Sequence, residues 1–287
     1  MTAPMRNDFR PTDAEIAHLR DRAQFIRLET IRLIEIAKVG HYTSVFSAAE
    51  IFAALYYDVM ALSDDPKWAD RDRFLMGKGH AAVGLFPILA EKGYIPVDVL
   101  NGYTRLGNPL GDHPDMRKVA GVDFSSGSIG HALSNGLGMA LGGRMQGRDF
   151  TTFVMLGDGE MQEGQVWEAA IGAAHHKLNR LVAIVDRNGF QLDGAVDDVM
   201  GIEPLDEKWR AFGWEVHVVD GHNIAELTAT LRRVKADQAR TKPCCIIART
   251  LKGKGVGYME TEPGWHLGYL DPSDAEAAKA EILSKVI

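Results

Sequence analysis

Thr152-Phe153-Val154-Met155-Leu156-Gly157-Asp158-Gly159-Glu160-Met161-Gln162-Glu163-Gly164 runs from an apolar segment into an acid flanked by glycines, and its reading decides the fold. Residues 152–156 are short, apolar and partly β-branched, as in a buried strand that ends in a glycine turn. Residues 165–177 carry apolar side chains at helical spacing, and Leu181-Val182-Ala183-Ile184-Val185-Asp186 is a second strand-like run. Strand, helix and strand in that order make a unit of the parallel kind. Residues 215–219 and 244–248 read as further strands with a helix over 224–237 between them, which extends the same sheet. Upstream, Leu19 to Ile36 repeats apolar residues every three or four positions within a helical opening from Thr12 to Val39, and Ala48 to Met60 reads as another helix. The expected fold class is α/β, a mostly parallel central sheet flanked by helices on both faces.

Open parallel sheets bind ligands outside the carboxyl ends of their strands. Asp158 stands at the end of the first strand, and Asn188, thirty positions on in Asp186-Arg187-Asn188-Gly189-Phe190, stands at the end of the second. A carboxylate and an amide oxygen suit Mg²⁺, which takes one or two protein oxygens and fills the rest of its octahedron with phosphate oxygens and water. Gly157 and Gly159 let the backbone approach phosphates without a clashing Cβ. The plainer reading is a loop in which Asp158 caps a helix and Asn188-Gly189 makes a tight turn.

GDG followed about thirty residues later by Asn resembles the cofactor motif of thiamine-diphosphate enzymes. Within that superfamily, GDGEMQEGQVWEAA and DRNGFQLDG are similar to transketolases. The resemblance implies a thiamine-diphosphate-binding fold in which Asp158, the Asn188 side chain and the Phe190 carbonyl ligate Mg²⁺, or Ca²⁺ or Mn²⁺ in its place. Gly157 and Gly159 would face the diphosphate. Ser125-Ser126-Gly127-Ser128-Ile129-Gly130 resembles the family's G-P-L-G turn with Ser128 for Pro and Ile129 for Leu, which assigns Gly127 and Ile129 to the aminopyrimidine ring.

Four histidines stand beside glycine or proline turns in the family's order: Gly40-His41, Gly77-Lys78-Gly79-His80, Gly111-Asp112-His113-Pro114 and Gly264-Trp265-His266. By resemblance His41, His80, His113 and His266 hydrogen-bond sugar hydroxyls, move protons and contact the diphosphate, with His80 also a cofactor ligand. A neutral imidazole relays protons near pH 7 and a charged one steadies phosphate. His18, His175, His176 and His217 read as surface or satisfied core residues.

Residues 1–11 are polar and expected to be loosely ordered. Residues 12–287 account for one diphosphate and metal domain. Transketolases join to it a pyrimidine domain, which holds the glutamate that activates the cofactor, and a C-terminal domain. The resemblance therefore implies an N-terminal subunit completed by a separate C-terminal transketolase subunit. Glu163 and Glu168, five and ten positions after Asp158, match acids at the family's subunit interface and imply a second copy of this chain in a heterotetramer. As acids at a helix start they would also favour the macrodipole, by about 0.3–1 kcal/mol each.

The implied reaction transfers a two-carbon ketol unit from a ketose to an aldose, with sugar phosphates as substrates. Tyr42-Thr43-Ser44-Val45-Phe46 follows His41 where the family commonly has small residues, so bulk beside the sugar is expected to select a non-standard substrate. The basic, glycine-rich stretch 250–257 reads as a mobile connection leading to His266, with a phosphate-gripping loop conceivable. Two other readings stand beside this one: the α subunit of a 2-oxoacid dehydrogenase, and a non-catalytic thiamine diphosphate-binding protein.

Composition fits a soluble enzyme subunit: 287 residues with 46% hydrophobic and 25% charged side chains bury a substantial core. A net charge of −7 argues against general nucleic-acid binding. The glycines and serines of 124–143, a stretch without charge, argue for a buried loop and a close-packed small-residue helix rather than a membrane span. Cys244 and Cys245 are adjacent and poor disulfide partners, and with no apolar signal core at the N-terminus a reducing cytoplasm is expected.

Overall fold

The computed structural model describes residues 9–285, so the expectation for residues 1–11 lies, as far as residue 8, outside the described residues. Seven strands form: β1 (Arg73–Met76), β2 (Thr152–Gly157), β3 (Leu181–Arg187), β4 (Phe190–Gln191), β5 (Gly194–Ala195), β6 (Glu215–Asp220) and β7 (Cys244–Arg249). Five make one sheet in the order β1-β2-β3-β7-β6, every neighbouring pair parallel. β4 and β5 form a small antiparallel hairpin just beyond the end of β3.

Alternation along the central strands divides the core in two, as a pleat of period two requires. Phe153, Met155, Val182, Ile184, Cys244 and Ile246 share one buried cluster with the helices Asp13–Ala37, Ala49–Ala54, Ala82–Glu91, Ile224–Ala236 and Pro272–Ser284. Val154, Leu156, Ala183, Val185, Cys245 and Ile247 share the other with the helices Ala132–Met145, Gly164–His175 and Leu205–Ala211. Truncating a wholly buried anchor such as Phe153 to Ala is expected to cost ~3–5 kcal/mol. Cys244 and Cys245 are both buried and free, and they point to opposite faces of the sheet.

The strand, helix and strand read from 152–186 form within two residues of the expected bounds, as do β6, β7 and the helix between them. The long N-terminal helix starts where Thr12 and Glu15 make a capping box, each side chain bonding the other's backbone N–H. The expected helix over 48–60 is α-helical only for Ala49–Ala54 and then widens into a π turn over Leu55–Val59. β1 was not anticipated: it is four residues long and contains no β-branched side chain.

The helix Ala132–Met145 packs closely because its inner positions lack side chains. A Cβ on Gly136 would meet Val154 at 2.5 Å, and one on Gly143 would meet Phe150 at 2.6 Å. Among the described residues no helix is long and apolar enough to cross a membrane.

Candidate active site

The loops after β1, β2, β3 and β7 meet at the carboxyl end of the sheet and enclose a cavity of about 400 Å3. Asp158, Asn188 and Phe190 all line it, together with Gly157, Gly159, Ile129, His80 and His266. A Cβ on Gly159 would stand 3.0 Å from Gln191, a contact tighter than side chains ordinarily make.

Asp158 is 1% exposed. The Gly189 N–H donates to its Oδ2 at 2.6 Å and the Gly159 N–H to its Oδ1 at 2.9 Å, while Arg187 approaches no nearer than 3.5 Å. Burial nevertheless pushes the carboxyl up to about 6, with the Asp186 charge adding to it. A buried carboxylate short of positive charge is the partner a divalent cation requires. The Asn188 Oδ1 accepts from the Phe190 N–H at 3.1 Å and its Nδ2 donates to Asp186 at 3.2 Å, so the amide oxygen is held by the turn it heads. The donor set, carboxylate and amide oxygens beside glycines, fits Mg²⁺ carrying a diphosphate.

Behind this set Asp186 is wholly buried and gathers four segments. The Lys78 ammonium pairs with it, the Ser47 hydroxyl donates to it at 2.7 Å, and the Thr250 hydroxyl and Asn188 amide complete its shell. Burial opposes its charge, but Lys78 and these donors outweigh that and hold the carboxyl below its usual range.

Three of the four histidines form one cluster. Ring centroids lie 4.9 Å apart for His41 and His80, 5.3 Å for His41 and His266, and 5.2 Å for His80 and His266. His80 is driven well below its ordinary pKa by burial and then by the charges of His41 and Lys78. Burial and then Lys252 bring His266 down to about 3. His113 stands apart and is 42% exposed, joined to the cluster through Asp112, whose oxygens lie 3.6 Å from His41 Nδ1 and 3.5 Å from His113 Nδ1. A Cβ built on Gly127 would touch His113 at 3.7 Å, which puts the Gly127–Ile129 turn next to that imidazole. Glu163 and Glu168 are both exposed, at the start of the helix Gly164–His175.

Two expectations are corrected. Tyr42, Val45 and Phe46 do not face the cavity: all three are fully buried, the Tyr42 hydroxyl accepting from the Leu270 N–H and Val45 packing against Gly84. Only Ser44 of that run reaches the cavity, so bulk after His41 reshapes the core and not the cavity. The stretch 250–257 is not a loose connection either. Lys252 is 1% exposed, and Gly253, at φ +79°, lies so close to the Met259 carbonyl that a Cβ would approach it to 2.3 Å.

Lys252 lines the cavity with Lys78, and its Nζ lies 2.9 Å from His266 Nδ1. Burial, then the Lys78 charge, brings its ammonium down to about 8. The basic glycine-rich run was the sequence signal for it; Lys78 had only its place in the GKGH turn. Glu160 had no signal beyond adjacency to the motif. It is 3% exposed and accepts from the Gly130 N–H at 2.7 Å and the Gly157 N–H at 3.0 Å, which joins the Gly127–Ile129 turn to the loop carrying Asp158. Burial pushes its carboxyl up to about 7.

Residues 19–283 match the family described as transketolase, thiamine diphosphate binding domain. The chain is 39% identical over 265 residues to the 6-deoxy-6-sulfo-D-fructose transketolase subunit SqwG of Clostridium sp., covering 92% of this chain and 96% of that one. It is 39% identical over 259 residues to an apulose-4-phosphate transketolase subunit of Phocaeicola vulgatus, covering 89% and 91% of the two chains. The crystallised transketolase from Leishmania mexicana superposes with a TM-score of 0.87 at 28% identity, over 92% of this chain and 41% of that one.

Proposed function

Because this chain belongs to the transketolase thiamine diphosphate-binding-domain family and is an N-terminal transketolase subunit, we propose that it transfers two-carbon ketol units between sugars of non-standard structure, in an assembly with a C-terminal partner subunit. The observation that carries the proposal is the cavity itself: the buried, under-compensated carboxylate of Asp158 opposite two buried lysines, with three imidazoles in mutual contact beside them.

Asp158, Asn188 and Phe190 would hold Mg²⁺, and Gly157 and Gly159 would admit the diphosphate. Lys78 and Lys252 offset charge that one divalent cation leaves on that group. Gly127 and Ile129 would meet the pyrimidine end. Thiamine diphosphate, when bound, supplies the electron sink that makes cleavage beside a ketose carbonyl feasible.

The imidazoles do the proton handling. His266 accepts from the Lys252 ammonium through Nδ1, so its free Nε2 is left to face a substrate hydroxyl. His80 stays neutral in its buried position and serves as donor or acceptor without carrying charge into the site. His41 and His113 share Asp112, whose carboxylate oxygens lie 3.6 and 3.5 Å from their Nδ1 atoms and would orient both rings toward a sugar oxygen.

The name of each of these two relatives, as a transketolase subunit, implies a partner, and both act, by name, on sugars other than the usual pentose phosphates. Glu163, which lines the cavity, and Glu168, both exposed, suit contact with a second copy in a heterotetramer. The test is a donor screen on the complex with its partner subunit, comparing kcat/KM for sulfonated, deoxy and branched ketoses with that for xylulose 5-phosphate. A clear preference for one of the former is expected, and equal or better use of xylulose 5-phosphate rejects the substrate claim.

A further inference from the structure

Glu215, His217 and Cys244 bring a carboxylate oxygen, an imidazole nitrogen and a thiol sulfur within 4.8 Å of one another. The sheet dictates the grouping. Glu215 and His217 lie two apart on β6 and therefore on one face, and Glu215 is in register with Cys244 on β7. Cys244 is buried on the face covered by the helix Ile224–Ala236, whereas its neighbour Cys245 points to the other face. The His217 and Glu215 side chains are 25% and 36% exposed, so the group is sealed on the sulfur side and open to solvent on the other.

The group sits at the amino ends of β6 and β7, while the cofactor cavity lies at the carboxyl ends. Cys244 and Thr250 are separated by ~20 Å of extended chain, so the two places do not share a ligand. The donor types also differ. The cavity offers hard oxygens, whereas sulfur, imidazole and carboxylate together suit Zn²⁺.

We propose that Glu215, His217 and Cys244 form a Zn²⁺ site, with solvent as the fourth ligand, that fastens the edge strand β6 to β7. His217 Nε2 and Glu215 Oε1 already stand 2.6 Å apart, and the cation takes the place of the proton between them, the neutral imidazole then carrying its proton on Nδ1. Side-chain rotation suffices to close the remaining distance to Cys244, since Zn–N and Zn–S bonds are about 2.0 and 2.3 Å. The Zn–S bond forms as the S–H bond breaks, and that proton passes to solvent.

The test is titration of the metal-stripped full-length chain with Co²⁺, a spectroscopic stand-in for Zn²⁺. A near-ultraviolet thiolate-to-cobalt charge-transfer band is expected in the wild type and in Cys245→Ser. Cys244→Ser should abolish it, and His217→Ala should weaken binding at least tenfold. Cobalt at Asp158 and Asn188 meets only oxygen and gives no such band, so the cavity does not confuse the reading. Zn²⁺ should also raise the melting temperature of the wild type more than that of His217→Ala. A wild type without the band, a band that survives Cys244→Ser, or an equal Zn²⁺-dependent rise in both proteins overturns the site.

Discussion

The Lys252 ammonium lies 2.9 Å from Nδ1 of His266, so a buried cation and a half-buried imidazole share one hydrogen bond, and the pair is stable only while the imidazole is neutral. Lys252 falls from 10.5 to about 8 through burial and then Lys78. The unfolded chain thus holds this proton more tightly than the folded one, so the group opposes folding below pH 8 and ceases to do so as the pH rises to 10.5. A diphosphate beside the ammonium reverses that preference. Loading of thiamine diphosphate and Mg²⁺ is therefore expected to take up protons near pH 9, measured by calorimetry in buffers of different ionisation enthalpy. Lys252→Met should lose the uptake; identical uptake in both proteins would show that Lys252 does not face the diphosphate.

His266 is depressed to about 3, so its contribution to stability is complete above the unfolded value of 6.5 and is lost as the pH falls from 6.5 toward 3. Acid melts should show His266→Gln losing less stability than the wild type across that window. Parallel curves would separate His266 from the acid transition.

Asp158→Asn removes the carboxylate proposed to hold the metal and also a buried acid whose pKa burial raises to about 6. Metal-dependent cofactor affinity should fall by more than ~100-fold, beyond what loss of an outer partner of a metal ligand costs. At neutral pH the relieved strain, ~3 kcal/mol for a two-unit rise in pKa, offsets the ~1–3 kcal/mol of the one N–H donor that loses its acceptor, so the metal-free variant should be no less stable than the wild type. Denaturant melts with and without Mg²⁺ check both signs, and a destabilised metal-free variant would contradict the account.

His113 is half exposed, and of the described contacts it reaches the imidazole cluster through Asp112. His113→Ala should lower turnover in the reconstituted complex by ~10²–10⁴-fold, the range of a general acid or base, while cofactor affinity changes little. Near-normal turnover would remove His113 from the proton-handling group.

Glu160 accepts two buried amide N–H groups from separate turns, at Gly130 and Gly157. Glu160→Ala leaves both unpartnered, each costing ~1–3 kcal/mol. A lowered melting temperature together with weakened cofactor binding is expected. Glu160→Gln, which keeps one acceptor, should recover part of each, and full binding in Glu160→Ala would sink the assignment.

The strand, helix and strand around Gly157 were legible because apolar runs and a helical period are local properties, and Asp158 and Asn188 followed from where such strands end. β1 was not: Arg73-Phe74-Leu75-Met76 is too short for a period and is a strand because β2 lies beside it. Lys78, Glu160 and Lys252 were missed for a different reason. Charged residues are read as exposed, and only the partners that the fold delivers make their burial affordable. The same limit misled the reading of Tyr42-Thr43-Ser44-Val45-Phe46, where residue size was visible and direction was not.

Asp186 joins Ser47, Lys78, Asn188 and Thr250, segments more than two hundred residues apart along the chain, at one buried carboxylate. Contacts so distant in sequence form late, after most of the loop-closure entropy has been met. The cavity beside Asp186 is therefore complete only when all of these segments have closed on one another, and a chain lacking any one of them lacks the cavity.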